Sequence, residues 1–522
     1  MSLKIIDATS TPADIIKLLL KNRQITNPSE FLTPPYPKAQ LSLKPAVKLI
    51  NFAIKAGKNI LIYGDYDVDG ITATAILWQA LYKLTPNVTP FIPSRELDGY
   101  GLKAASFFRF QKEKNLKFDL LITVDNGIVA QPEIAKIKLQ QKIKIIITDH
   151  HLPDQKLKSA DGLIYSPEVS GSAISWFLAK NFDSQADLSL AALGTVADCL
   201  PLLKTNRSLV VHGLKELRLN PNPGIKKLIA IAGLKQDSIS AFDLGFALGP
   251  RINAVGRLSD PTDALRLLCS QNPIQAAKYA QTLNLSNQNR QQLQKESLET
   301  AEKNIDLKNK IIFVSGDYNP GIIGLIAGRL TEKYYLPSIV ISETKDISKG
   351  SCRSVAELNI IETLRHHSKL FIDLGGHSLA AGFSLKTVNI PKFQKLITKT
   401  INQKLKNLDL KPTTYVDAEM KLSAVNPKNI KAFEQLAPFG IGNPEPTFLF
   451  KNLTIISKRV IGTTGDHLKL KLDHLDAIAF KKGDLDNVLK IGDKIDVIAH
   501  LSINVWNNIS TPQLIVKEII KA

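Results

Sequence analysis

Three short apolar runs in the first third of the chain each stop at acidic residues. Asn59-Ile60-Leu61-Ile62-Tyr63 leads into Gly64-Asp65-Tyr66-Asp67-Val68-Asp69-Gly70. Asp119-Leu120-Leu121-Ile122-Thr123-Val124 leads into Asp125-Asn126-Gly127. Ile143-Lys144-Ile145-Ile146-Ile147-Thr148 leads into Asp149-His150-His151. Such runs, bounded by turn residues and lacking polar alternation, read as strands buried on both faces. Helical stretches such as 71–84 separate them. Strands alternating with helices predict a parallel α/β sheet. Ligands of such sheets bind beyond the carboxyl ends of the strands, which is where the acids fall. A fourth acidic segment, Gly194-Thr195-Val196-Ala197-Asp198-Cys199-Leu200-Pro201-Leu202, follows an Ala/Leu-rich helical pattern.

The rest of the chain divides by pattern. Residues 1–50 form a lead-in with a Pro-rich stretch, Thr33-Pro34-Pro35-Tyr36-Pro37, and the first α/β domain spans 51–260. Residues 261–306, rich in Ala, Leu, Gln and Lys, predict a helical connector. A second α/β domain, 307–412, opens on the strand Lys310-Ile311-Ile312-Phe313-Val314. Residues 413–522 carry five short alternating strands at 448–453, 467–472, 476–480, 494–501 and 513–518, the pattern of an OB-like barrel.

Length and composition narrow the classes. A chain of 522 residues suits two to four domains. No run of about 18 uncharged apolar residues is present, so no membrane span is expected. The first residues show no apolar leader core with a cleavage site. Three dispersed cysteines, Cys199, Cys269 and Cys352, give neither a disulfide framework nor a zinc knuckle and suit a cytoplasmic location. Lys+Arg exceeds Asp+Glu by 19, which favours a polyanionic partner. The contrast of acidic clusters inside a basic chain is informative. The basic surface would draw in a polyanion, and metals held by the acids would act on it.

The strand-end groups are Asp65, Asp67, Asp69, Asp125, Asp149, His150, His151 and Asp198. Crowded at one sheet edge, these carboxylates repel unless divalent cations neutralise them. Mixed carboxylate and imidazole ligands suit Mn2+ or Mg2+. Two ions about 3.5–4 Å apart activate a water and stabilise a leaving oxygen in phosphoryl displacement. A carboxylate on a central strand, such as Asp125, can bridge both. The segment beginning at Asp65 argues against a calcium loop, whose twelfth position needs glutamate where position 76 is Ile.

The ordered set GDYDVDG, VDNG, TDHH and GTVADCLPL resembles the acidic motifs of the DHH phosphoesterases. Gly249-Pro250-Arg251-Ile252-Asn253-Ala254-Val255-Gly256-Arg257-Leu258 resembles the RecJ motif after the catalytic core, and Gly350-Ser351-Cys352-Arg353-Ser354 and Gly375-Gly376-His377-Ser378-Leu379-Ala380-Ala381-Gly382 resemble the substrate-binding DHH-associated domain. Pro438-Phe439-Gly440-Ile441-Gly442-Asn443-Pro444-Glu445-Pro446 is similar to the segment entering the RecJ OB domain. The likeness covers roughly 45–520. It implies one metal held by Asp65, Asp67 and Asp125, and another by Asp69, Asp125, His150 and Asp198. His151 would face the scissile phosphate, with Asp149 supporting the imidazoles. Arg95 and Tyr100 match a loop beside the substrate, and Ser351 and Arg353 match a 5′-phosphate pocket. Gly375, Gly376 and His377 would approach the nucleotide, and Arg251 and Arg257 would line the strand channel. Two departures stand out. Tyr318-Asn319 replace the family's usual Trp-His pair, and Cys352 replaces glycine where it would narrow the phosphate pocket.

The function so implied is a single-stranded-DNA-specific exonuclease. It would release 5′ mononucleotides from the 5′ end, using two Mn2+ or Mg2+ ions, in DNA repair and recombination. The barrel would grip the trailing strand, with Tyr415, Phe448, Phe450 and Trp506 as base stackers or barrel core. A single-strand-binding protein and a helicase are the partners the family suggests, and a monomer is expected. The sequence leaves two alternatives open. One is a phosphodiesterase of short oligonucleotides or cyclic dinucleotides, whose family members lack the barrel. The other is a non-catalytic scaffold, whose family members lose the metal ligands.

Overall fold

A computed structural model describes residues 4–153, 157–506 and 509–521, apart from the side chain of Trp506. The first sheet has five parallel strands in the spatial order Val88–Phe91, Ile60–Tyr63, Leu120–Val124, Lys144–Asp149 and Gly162–Tyr165. Alternate residues serve two cores. Ile60, Ile62, Leu120, Ile122, Val124 and Ile146 pack under helices Val68–Tyr82, Gly171–Ala179 and Leu188–Ala197. Leu61, Tyr63, Leu121, Ile145 and Ile147 pack under Ala104–Lys114 and Gln131–Gln140. Burial on both faces explains why the strands read as continuous apolar runs. The order reverses between Ile60–Tyr63 and Leu120–Val124. Crossovers leave these two strands to opposite sides, so a crevice opens beyond their ends. Asp65 and Asp125 follow those two strands.

The predicted connector is largely one helix, Pro273–Glu302, 30 residues and roughly 45 Å long. Its first half, through Ala276, Ala280 and Leu283, packs into the first domain. Its second half, through Leu293, Leu298 and Ala301, packs into the second. It is thus a shared strut rather than a linker. The second domain is a mixed five-stranded sheet: Phe371–His377, Ala380–Lys386, Ile347–Arg353, Ser338–Ser342 and Ile312–Gly316. Only the last two are parallel to one another.

The C-terminal strands Phe448–Ile461, His467–Leu472, Leu475–Ala479, Ile509–Lys521 and Lys494–Trp506 form a barrel, closed by pairing of the first with the last. Phe448 and Phe450 are fully buried in its core and are unavailable to bases, whereas Tyr415 is exposed. The Trp506 side chain lies outside the described residues.

The lead-in differs from expectation. Ile5–Ile6 pairs with Ala418–Met420, and helix Pro12–Asn22 buries Ile15, Ile16, Leu19 and Leu20 in the barrel core. Thr11 caps this helix in a reciprocal pair with Asp14. Helix Lys44–Lys55 instead packs on the first domain through Ala46, Ile50 and Ala53, so a boundary at residue 50 would cut a helix. The partner of Pro12–Asn22 lies about 400 residues away along the chain, so residues 1–50 taken alone read as no more than a lead-in.

Candidate active site

Each acid reaches the sheet edge by a separate backbone device. Asp67 is the N-cap of Val68–Tyr82 and accepts from the Gly70 N–H at 3.0 Å. Asp65 accepts from the Tyr66 N–H at 2.8 Å. Asp69, in the first turn of that helix, accepts from the N–H groups of Gly171 and Ser172 at 2.6 and 3.0 Å. Those amides open helix Gly171–Ala179, whose positive end suits a carboxylate. Asp125 follows its strand at φ +63°, a left-handed conformation that turns its side chain into the crevice. Asn126 holds this turn by donating to the carbonyls of Gly64 and Val124 at 3.0 and 2.9 Å. Asp198 is the C-cap of Leu188–Ala197. A carboxylate is unfavourable at that negative helix end, which points to a cation nearby.

The result is three overlapping donor groups with atoms within 4.8 Å of one another: Asp65, Asp67 and Asp125; Asp69, His150 and Asp198; and Asp125, His150 and His151. His150 Nε2 lies 3.1 Å from Asp125 Oδ1, 3.4 Å from Asp198 and 3.8 Å from Asp69. Both His150 Nε2 and Asp125 Oδ1 are buried without a hydrogen-bond partner. Two orphaned donor atoms facing each other inside a ring of carboxylates fit a divalent metal centre. Asp149 differs. Its oxygens accept from the N–H groups of Ile128, His150 and His151 and from His151 Nδ1 at 2.7–3.1 Å. It is saturated, and it fixes the His151 ring with Nε2 toward the Tyr100 hydroxyl at 3.0 Å.

Electrostatics agree with the geometry. Burial and the neighbouring Asp67 push Asp65 up to about 8. Burial and Asp69 do the same for Asp198. Burial and the surrounding carboxylates raise Asp125 well above its ordinary value. His150 is lowered by burial. Burial would lower His151 too, but its hydrogen bond to Asp149 lifts it to about 9. Without metal, Asp65 and Asp198 therefore keep protons near neutrality that the unfolded chain has released. The folded state then binds more protons than the unfolded one, so the metal-free fold loses stability as pH rises toward 8. Metal binding expels those protons and is favoured by rising pH. The rise in melting temperature on adding Mn2+ is therefore expected to be larger near pH 8 than near pH 6. Thermal denaturation with Mn2+ and with chelator checks this, and an increment independent of pH would contradict it.

Two glycines at the centre shape the site although neither is among the residues the sequence marks for it. A Cβ on Gly171 would lie 2.5 Å from Asp125 Oδ1, and one on Gly194 would lie 2.5 Å from Asp69 Oδ1. Their absence of a side chain lets two helix ends close on the acids. Gly194 belongs to the acidic segment Gly194–Leu202, whereas Gly171, between two serines at the start of a helix, carries only a weak signal in the sequence.

A cavity of about 1750 Å³ lies between the first and second domains. Arg95, Tyr100, Arg257, Asn319, Gly324, Ser351, Arg353 and Gly375 are in its wall. The acids are not, but Tyr100 joins the two regions through His151. The Arg95 guanidinium stacks over Tyr66 at 4.3 Å, and its Nε has no partner. Burial, then the charges of Arg95, Arg290 and Arg353, hold Arg257 down to about 10. Such mutual crowding of guanidinium groups marks a site for an anion. Gly324, at the start of helix Ile323–Tyr334, faces Ser351 and Arg353, so the positive end of that helix adds to the pocket.

Some expected site residues fall elsewhere. Arg251 is not in the cavity wall and donates to Asn284 Oδ1 and the Ala247 carbonyl, tying its helix to the strut. Gly376 and His377 are exposed outside the cavity wall. Cys352 is fully buried in the core of the second domain, on the opposite strand face from Ser351 and Arg353, so it leaves the pocket unnarrowed. Asn319 accepts from the Gly321 N–H at 2.8 Å and shapes the turn into the helix.

Family models match the three domains in order: "DHH family, N-terminal domain" at 59–200, "DHHA1 domain" at 308–403 and "RecJ OB domain" at 416–518. The Salmonella typhimurium single-stranded-DNA-specific exonuclease RecJ is 30% identical over 571 residues, covering 98% of this chain and 97% of that protein. The chain belongs to the RecJ family. The Bacillus subtilis RecJ is 34% identical over 498 residues, 91% of this chain, and the chain spans 63% of that relative's length. RecJ from Thermus thermophilus, solved in complex with Mn2+, superposes over the whole chain and 80% of its own, with a TM-score of 0.87 and 27% identity. A second RecJ structure, bound to manganese, covers 73% of this chain and 98% of its own, with a TM-score of 0.62 and 30% identity. The RecJ fold, with its α/β first domain and β-rich C-terminal domain, is thus that of this chain. No described helix is long and apolar enough to cross a membrane.

Proposed function

We propose that the chain is a metal-dependent exonuclease that removes 5′ mononucleotides from single-stranded DNA. The orphaned facing pair of Asp125 Oδ1 and His150 Nε2 carries this reading. Asp65, Asp67 and Asp125 would hold one divalent ion, and Asp69, Asp125, His150 and Asp198 a second. Mn2+ or Mg2+ bound there supplies a water of lowered pKa and neutralises charge on the leaving oxygen. The chain's own groups do the rest. Ser351, Arg353 and the start of helix Ile323–Tyr334 bind the terminal phosphate. Arg95 and Arg257 draw the strand toward the acids. His151, protonated and fixed by Asp149, presents an Nε2 proton beside Tyr100 to an oxygen of the scissile phosphate. The cavity wall is shared by two domains joined by the rigid strut, which favours a single flexible strand over a duplex. The barrel would hold the trailing strand. Action as a cytoplasmic monomer, beside a helicase and a single-strand-binding protein in repair and recombination, is part of the same proposal.

Loss of the Arg353 fork tests the polarity of the reading. Arg353→Ala is expected to raise KM about tenfold for a 5′-phosphorylated strand and to change it little for a 5′-hydroxyl strand. Steady-state kinetics on the two strands decide. Equal losses on both would contradict the assignment of this pocket to the 5′ end.

A further inference from the structure

Phe242 and Phe246 stack on each other in full view of solvent. Their centroids are 4.7 Å apart at 23°, and the residues are 66% and 72% exposed. Phe242 precedes and Phe246 lies within a π-helical turn, Leu244–Leu248, anchored by the fully buried Leu244 and Leu248. Single π turns recur at functional sites because they re-aim side chains without ending the helix. The same helical run continues as Gly249–Leu258.

That run passes the whole site in sequence. Gly245 lies against Val196, and Gly249 against Ala197, just before Asp198. Asn253 Oδ1 accepts from the Val68 N–H at 3.0 Å, beside Asp67 and Asp69. Gly256 packs on the Tyr66 carbonyl, and Arg257 enters the cavity. Phe246 is roughly 16 Å along the helix from Arg257, and the acids lie between.

We propose that Phe242 and Phe246 form a stacking platform for nucleobases of the substrate strand a few nucleotides past the scissile phosphate. The proposal rests on the single-strand reading above. With the terminal nucleotide in the cavity and the scissile phosphate at the acids, the strand leaves along this helix toward the two rings. Flat uncharged rings take any base, since every base has a π face, and this suits a nuclease that must advance through all sequences. The basic chain carries the phosphates, and the rings carry the bases.

The test uses the full-length Phe242→Ala/Phe246→Ala double variant on a long single strand and on a trinucleotide. On the long strand KM is expected to rise about tenfold with kcat kept. The trinucleotide, too short to reach the rings, is expected to show none of this loss. Phe246→Trp is expected to retain long-strand KM. A strand carrying one abasic site, moved stepwise from the 5′ end, adds a second readout. The position that weakens binding to the wild-type protein is expected to have no further effect on the double variant. An unchanged long-strand KM, or an undiminished abasic effect, overturns the platform. If the wild-type protein leaves DNA uncut, the functional reading fails instead. Anisotropy binding of the abasic series still decides the platform, and equal profiles for wild type and variant overturn it.

Discussion

Asp125→Asn is expected to lower single-strand turnover by on the order of a thousandfold while making the metal-free protein more stable. Asparagine keeps the shape of the side chain and tolerates the φ of +63° at this position. What it removes is charge. In the metal-free protein that charge is a liability, because Asp125 is 1% exposed, its Oδ1 has no partner, and Asp65, Asp67, Asp69 and Asp198 surround it. With metal, the same charge is the one that the proposed ligand sets of both ions would share, 3.1 Å from His150 Nε2. Stability and activity are thus predicted to move in opposite directions. Melting curves in chelator and with Mn2+, beside turnover, check this. The variant should melt higher than wild type in chelator and gain less from Mn2+. A lower melting temperature in chelator would show that Asp125 serves the fold rather than the ions.

The second large effect concerns an arginine that belongs neither to the acid cluster nor to the cavity wall. Arg207, on helix Lys204–Leu219, is 2% exposed. It donates to the carbonyls of Phe31, Leu436 and Ala437 at 2.6, 3.1 and 2.7 Å, and its guanidinium lies 3.8 Å over the Phe31 ring. Three segments therefore meet on one side chain: the N-terminal arm, the lead into the barrel and the first domain. Arg207→Met fills much of the space but leaves the carbonyls without donors, at about 1–3 kcal/mol each. A loss of roughly 3 kcal/mol or more is expected, read as a melting temperature lower by on the order of 10 °C. KM for long strands should rise with the loosened barrel, while trinucleotide turnover should persist. A variant that melts with wild type would show that the barrel is held elsewhere.

The sequence exposes the first domain well because its strands are buried on both faces and each ends in acids, so pattern and chemistry coincide. The barrel strands were legible from alternation, though the structure extends Phe448–Ile461 and Lys494–Trp506 beyond the predicted ends. What stayed hidden depends on partners distant in sequence. The amphipathic helix Pro12–Asn22 does not reveal that its face meets a barrel some 400 residues away. Arg207 reads as one more basic residue in a basic chain. Gly171 matters only because Asp125 is brought against it by a different strand. Arg251 sits in the same segment as Arg257, yet the helix sends one to the strut and the other to the cavity. Phe242 and Phe246 look like core residues by composition. Only the structure shows that Leu244 and Leu248 take the buried positions and leave the rings outside.

Hydrolysis of single-stranded DNA from its 5′ end by this acid cluster is open to a single assay. Digestion of a long strand labelled at either end, with Mn2+, beside matched RNA, duplex and 3′-tailed duplex, tests it most directly. Metal-dependent release of labelled mononucleotide from the 5′ end of the single strand is expected, with the duplexes spared and the activity lost with Asp125→Asn or chelator. Binding without cleavage across several metals, or cleavage confined to RNA of a few nucleotides, would contradict it.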